Sequence, residues 1–388
     1  MPADTPVYMD YSATTPCDER VVAEMLPYFT THFGNASSRV HSFGWSAEAA
    51  VEQARQRAAA LVNARPEEII FTSGATEACN LALRGIFNRY AVKGNHIITS
   101  ATEHKAVLDT CKALEKKGAA ITFLKVNKEG ITDLEELSAA ITPSTILVSM
   151  MFANNETGVI QPVKEIGAIC KQQQVLFFCD ATQAAGKIPV DVNEAGMDLM
   201  SFSAHKMYGP KGVGALYIRS RNPRVTITPQ LTGGGQERNI RSGTLNVPGI
   251  VGFGKSCELC MKQMPGEIQQ LAALRNKLRD GLLSIPGTFL NGHAEMCLPH
   301  VLNLSFTDLN SSLLLSALNK TIALSSGSAC TSGSLDPSYV LTAMGIEPAL
   351  AKAALRFSIG RFTRIDEIDF AIKEVTDKVA GLRNEPIS

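Results

Sequence analysis

Between residues 68 and 218 seven short apolar runs recur: EIIFT (68–72), HIITS (96–100), ITFLKV (121–126), TILVSMM (145–151), VLFFCD (175–180), LMSFSA (199–204) and VGALYI (213–218). Helical patterns alternate with them along this stretch. Apolar runs of strand length, without polar alternation, are expected of strands buried on both faces of a parallel sheet. The fold class expected is therefore α/β, with crossover units building a mostly parallel sheet covered by helices. Several runs end in polar, chemically capable residues, and ligands of open α/β sheets bind at the carboxyl ends of the strands.

From about residue 259 the pattern changes. A long amphipathic stretch, CMKQMPGEIQQLAALRNKLRDGLLSI, leads to the apolar strand HVLNLSF and then to TIAL (321–324). Two domains are expected: a large one over 14–258, and a smaller α+β one from 1–13 and 259–388. The glycine-rich LTGGGQERNIRSGT (231–244) is the one extended loop signal. Charge excludes some classes of function, because 37 basic and 37 acidic residues leave no net field to draw nucleic acid or anionic membrane. No apolar run approaches the roughly 20 residues of a membrane span, and MPADTPVYMD lacks the features of a secretion signal. A cytoplasmic protein is expected. Its nine cysteines have no regular spacing, which fits reduced thiols rather than a disulfide framework.

The most informative chemistry lies in SFSAHKMYGPKG (201–212), where a strand ends and Lys206 follows His205. Alone, such a lysine is a solvated charge; kept neutral, it can form a Schiff base with an aldehyde cofactor such as pyridoxal phosphate. That cofactor needs an acid facing its ring nitrogen. Asp180, closing VLFFCD, is a candidate, because an acid at the end of an apolar strand is costly unless paired. Gln183, three residues on, has the amide to bond the ring hydroxyl. A phosphate site is offered by FTSGATEACNLAL: Ser73-Gly74-Ala75-Thr76 joins a strand to a helix start, where backbone amides bind anions. His104 in TEHKAVLD follows another strand end, as does Asn155 in NNETG; each could face a ligand or merely build a turn. Arg356 in RFSIGR can clamp a carboxylate through two bonds or pair with an internal acid.

In SSGSACTSGS (325–334), Cys330 sits among small residues that give it nothing to pack against, between TIAL and a helix expected to start with Asp336 as N-cap and Pro337 as first helical residue. Cys257 and Cys260 form a C-x-x-C with no second pair at metal-ligand spacing, and read as structural positions on one helix face.

In order along the chain, YMDYSATTP, TSGATE, TEHKAVLDT, NNETG, DATQ, SFSAHKMYGPKG, RSGT, SSGSACTS and RFSIGRFTRIDEID resemble the cysteine desulfurases, pyridoxal-phosphate enzymes of iron–sulfur cluster assembly. The resemblance spans nearly the whole chain. SSGSACTS resembles the long-loop branch that serves housekeeping and nitrogenase assembly. It implies the aspartate-aminotransferase type of fold (pyridoxal-phosphate fold type I), with the cofactor in the large domain. Lys206 would carry the cofactor, His104 stack on its ring and assist proton transfer, Asp180 face the ring nitrogen and Gln183 bond the ring oxygen. Ala75 and Thr76 belong to the phosphate cradle, with Ser203 and His205; Thr244 would reach the phosphate of a neighbouring subunit, making the enzyme a homodimer. Asn155 and Arg356 would grip the substrate carboxylate. Cys330 would take sulfur from L-cysteine as a persulfide, leaving L-alanine, and pass it to an acceptor such as an iron–sulfur scaffold. No resident metal is expected. A selenocysteine lyase, another pyridoxal-phosphate enzyme of the same fold, and a non-catalytic assembly subunit remain the alternatives.

Overall fold

The computed structural model describes residues 5–326 and 337–384. The segment with Cys330, and the expected cap Asp336, lie outside the described residues. After a short strand β1 (Val7–Tyr8), one seven-stranded sheet is formed by β2 (Ile69–Thr72), β3 (His96–Ser100), β4 (Ala120–Leu124), β5 (Thr145–Met151), β6 (Leu176–Asp180), β7 (Leu199–Ser203) and β8 (Gly214–Ile218). Their order is β2-β8-β7-β6-β5-β3-β4. Only β8 runs against its neighbours; the other ladders are parallel. Strands β2, β3, β5, β7 and β8 are buried along their whole length, which is why the sequence shows unbroken apolar runs there.

Helices cover both faces. On one, Ser42–Leu61 packs with the first half of the 37-residue helix Val247–Leu283. Gly254 makes that packing close, since a Cβ there would lie 2.5 Å from the Ala54 Cα. On the other face lie Ala75–Arg89 and Lys105–Glu115.

The smaller body adds β9 (Thr288–Leu290), β10 (Val301–Phe306), β11 (Ile322–Ala323), β12 (Ser325–Ser326) and β13 (Ala354–Ser358). Four of these form an antiparallel sheet, β12-β13-β10-β9, while β11 pairs with β1. Its core joins Leu304, Phe306 and Phe357 to Leu271, Leu278 and Leu282 of the long helix and to Val375 and Val379 of the helix Ile365–Asn384. The long helix runs unbroken past residue 259, with Cys260 in one apolar core and Leu271 in the other. Pro265 is accommodated in this partly exposed crossing stretch. Cys257 and Cys260 are both fully buried in the same helix, and burial pushes their thiols up, as suits packing residues rather than redox ones.

Two local details position the site. Glu237, Arg238 and Asn239 of the glycine-rich loop all have positive φ (46°, 58° and 61°), a conformation unfavourable for residues with a Cβ. A buried fork offsets the cost: Arg55 donates twice to the Glu237 carboxylate at 2.8 Å, and the Phe71 amide donates to it at 2.7 Å. The helix after the cysteine segment starts at Tyr339, not at Pro337. Its cap is Ser338, whose Oγ accepts from the Leu341 amide. The expected helix start is corrected: Pro337 precedes the helix, and the Ser338 side chain satisfies its free amide.

Candidate active site

The carboxyl ends of β2, β5, β6 and β7, the start of the helix after β3, and the N-terminal stretch Ser12–Thr14 enclose a cavity of about 590 Å³. Lys206 enters it from a single 3-10 turn, Ala204–Lys206, directly after β7. Its Nζ donates to the carbonyls of Ser12 and Ala13 at 2.5 and 2.7 Å. These two backbone carbonyls aim the amine. Asp180, the last residue of β6, lines the same cavity and is 6% exposed. Its Oδ1 accepts from the Thr182 amide, the Thr182 hydroxyl and the Ser201 hydroxyl. Among the described residues Oδ2 meets only the Cys79 thiol, at 3.8 Å. One oxygen fixes the carboxylate, and the other is left for a ligand. Gln183 is held by its Nε2, which donates to the Ser12 carbonyl at 3.0 Å.

The anion cradle follows β2. Gly74 caps the helix Ala75–Arg89 with φ +152°, where a side chain would be strained. Gly214 of β8 must also be glycine, because a Cβ would lie 2.8 Å from the Gly74 Cα. Ala75, Thr76, Ser203 and His205 line the cavity beside this helix start. Burial, helped by the charges of Lys206 and Lys211, pushes the His205 imidazole down to about 4, so it is neutral at physiological pH and one ring nitrogen carries a hydrogen to donate. Its Nδ1 meets the Thr14 hydroxyl at 3.2 Å.

His104 lies at the cavity wall as the N-cap of Lys105–Glu115, its Nδ1 accepting from the Ala106 amide at 3.1 Å. Asn155 and Arg356 close another side. Arg356 is 1% exposed; Nη1 donates to the Asn155 carbonyl at 2.9 Å and Nη2 to Asp10 at 2.7 Å. The acid-pairing alternative is thus realised, yet the guanidinium still faces the cavity. Among the described residues, its buried Nε and the Asn155 Oδ1 have no hydrogen-bond partner. Buried polar atoms in that condition are costly and point to a polar ligand.

The cavity brings together ten expected residues: Ala75, Thr76, His104, Asn155, Asp180, Gln183, Ser203, His205, Lys206 and Arg356. Thr244 is exposed and does not line this chain's own cavity. Sequence reasoning gave no role to Asp10, Ser12 and Ala13, which hold Arg356, Gln183 and Lys206. The usable signal is an acid directly after the apolar VYM that begins with the first strand, a partner for a buried cation. No cluster of three or more His, Cys, Asp or Glu side chains able to hold a metal occurs among the described residues, and none of their helices is long and apolar enough to cross a membrane.

The family pattern of aminotransferase class-V matches residues 7–370. A curated relative named cysteine desulfurase IscS, from Dechloromonas aromatica (strain RCB), is 54% identical over 379 residues, covering 97% of this chain and 93% of the relative. Among solved structures, a NifS-like protein superposes with a TM-score of 0.91 at 37% identity, covering 97% of this chain and all of the other. A structure described as SspA in complex with cysteine gives 0.82 at 35% identity, over 92% of this chain and all of that one. The chain belongs to the aminotransferase class-V family, among its cysteine desulfurases.

Proposed function

We propose that this chain is a pyridoxal-phosphate-dependent cysteine desulfurase that converts L-cysteine to L-alanine and stores the sulfur on Cys330. The observation that carries the reading is the convergence, in one cavity, of the Lys206 amine, the half-satisfied Asp180 carboxylate, a glycine-capped helix start and the Asn155–Arg356 pair with its unpartnered atoms. That donor set fits the cofactor. Lys206 would bind its aldehyde carbon, Asp180 its ring nitrogen, Gln183 its ring oxygen, and Ala75, Thr76, Ser203 and His205 its phosphate. Bound there, pyridoxal phosphate supplies an electron sink that acidifies the Cα proton of a bound amino acid. Arg356 and Asn155 grip the substrate carboxylate; His104 or Lys206 moves the proton. The Cys330 thiol then takes the substrate sulfur. L-cysteine and the thiol give L-alanine and the persulfide, with no outside oxidant or reductant. The test is a product assay: purified protein given L-cysteine and a thiol reductant should release alanine and sulfide in equal amounts. Alanine without sulfide, or transamination products in its place, would sink the reading.

The acceptor we infer is a protein such as an iron–sulfur scaffold, on the strength of the SSGSACTS string. Free-thiol use of cysteine agrees with a reducing cytoplasm. We also infer a homodimer in which Thr244 serves the partner's phosphate, because the loop that carries it is braced by Arg55–Glu237 while Thr244 itself is exposed. Losing one hydrogen bond to a charged group weakens binding by about ten- to a hundredfold. Thr244→Val should therefore lose pyridoxal phosphate by that factor on dialysis while remaining folded and dimeric. A fully active monomer contradicts the assignment.

A further inference from the structure

Residues 327–336, with Cys330, join Ser326 to Pro337. At the near end, Ser325 pairs directly with Arg356 across the β12–β13 ladder. At the far end two consecutive side chains reach back to the large body. Ser338 donates to the Glu156 carboxyl, and Tyr339 donates to the Glu103 carbonyl at 2.7 Å. Glu156 follows Asn155, and Glu103 precedes His104. Both ties therefore land on the strand-end turns that present candidate site residues to the cavity.

Packing alone would hold this short helix, since Val340, Leu341 and Met344 form an apolar cluster with Ala351 and Ala354. Placing an acid there is costly. Glu156 is 2% exposed, and burial raises its carboxyl to about 7 against the pull of Ser338, Arg356, His104 and Lys105. A hydrophobic pair would hold two elements together at least as well. What the polar ties add is direction, because a hydrogen bond fixes register where an apolar contact tolerates sliding.

We propose that the Ser338–Glu156 and Tyr339–Glu103 hydrogen bonds position the sulfur-accepting segment relative to bound substrate, making Ser338 and Tyr339 positioning residues for sulfur transfer. This rests on the desulfurase reading above. Neither side chain lines the cavity, so neither touches the space that cofactor and substrate would fill.

Ser338→Ala and Tyr339→Phe should each keep the visible cofactor spectrum and its change on adding L-cysteine. Each should slow persulfide formation on the Cys330 peptide roughly three- to tenfold, as one lost hydrogen bond allows. Ser338→Thr should restore the rate. If Ser338→Ala does not fold, Tyr339→Phe alone carries the test. Wild-type protein that forms persulfide while both variants form it at the same rate overturns the inference alone. So does an equal loss of the cysteine-induced spectral change, which would assign the ties to the cavity. Wild-type protein that forms no persulfide overturns the desulfurase reading, and the inference with it.

Discussion

Lys206→Ala should abolish turnover of L-cysteine and, in the same step, remove the visible absorption of lysine-linked pyridoxal phosphate. The two losses coincide because one atom does both jobs. Nζ is delivered into the cavity by a single 3-10 turn and held by the Ser12 and Ala13 carbonyls. A lysine placed so can lose a proton and act as a nucleophile. In the proposed mechanism it is also one of the two groups that move the Cα proton, and removing a positioned base alone costs on the order of a hundred- to ten-thousandfold. The fold should survive. Truncating the side chain leaves two carbonyls that water can satisfy in an open cavity, so thermal unfolding should shift little. Borohydride reduction of wild-type protein followed by peptide mapping should place the trapped cofactor on Lys206. Trapping on Lys211, the other lysine at the cavity wall, would move the chemistry to that residue.

Apart from Arg356, which lies within β13, the parts of this site that are legible in the sequence share one property: each sits at or just after the end of a strand that announces itself. TILVSMM and HIITS coincide with β5 and β3, and Asp180, His104, Asn155 and Lys206 follow such ends directly or within a few residues. Local pattern places them because an open parallel sheet gathers its strand ends on one side. What stayed hidden are long-range polar contacts. Asp10 meets Arg356 across 346 positions and Ser338 meets Glu156 across 182. No periodicity encodes such pairs. The start of the long helix was hidden for another reason: GIVGFGKS reads as a weak helix former, yet Gly254 is there for its close approach to Ala54. Tertiary packing overrode propensity. The proposed role of Cys330 as acceptor rests on the SSGSACTS string and on composition, a thiol in a run with nothing to bury it.

Cys330→Ala should separate activation of the substrate from removal of its sulfur. None of the groups gathered in the cavity is altered: Lys206, Asp180, the helix start at Gly74 and the Asn155–Arg356 pair keep their partners. Cofactor should bind as in wild type, and adding L-cysteine should still change its spectrum. Transfer should then stop, since the remaining cysteines cannot substitute. Cys79, Cys111, Cys170, Cys179, Cys257 and Cys260 are buried, and burial pushes each thiol up, away from the thiolate that attacks sulfur. Cys17 and Cys297 are partly exposed but do not line the cavity. Alanine and sulfide release should fall by at least about a hundredfold, the scale expected when a covalent nucleophile is removed. Wild-type protein given L-cysteine without reductant should instead gain the mass of one sulfur atom on the peptide containing Cys330, and lose it to a thiol reductant, as a persulfide does. Sulfide release from Cys330→Ala at the wild-type rate, or sulfur mapped to Cys17 or Cys297, would show that another group accepts it.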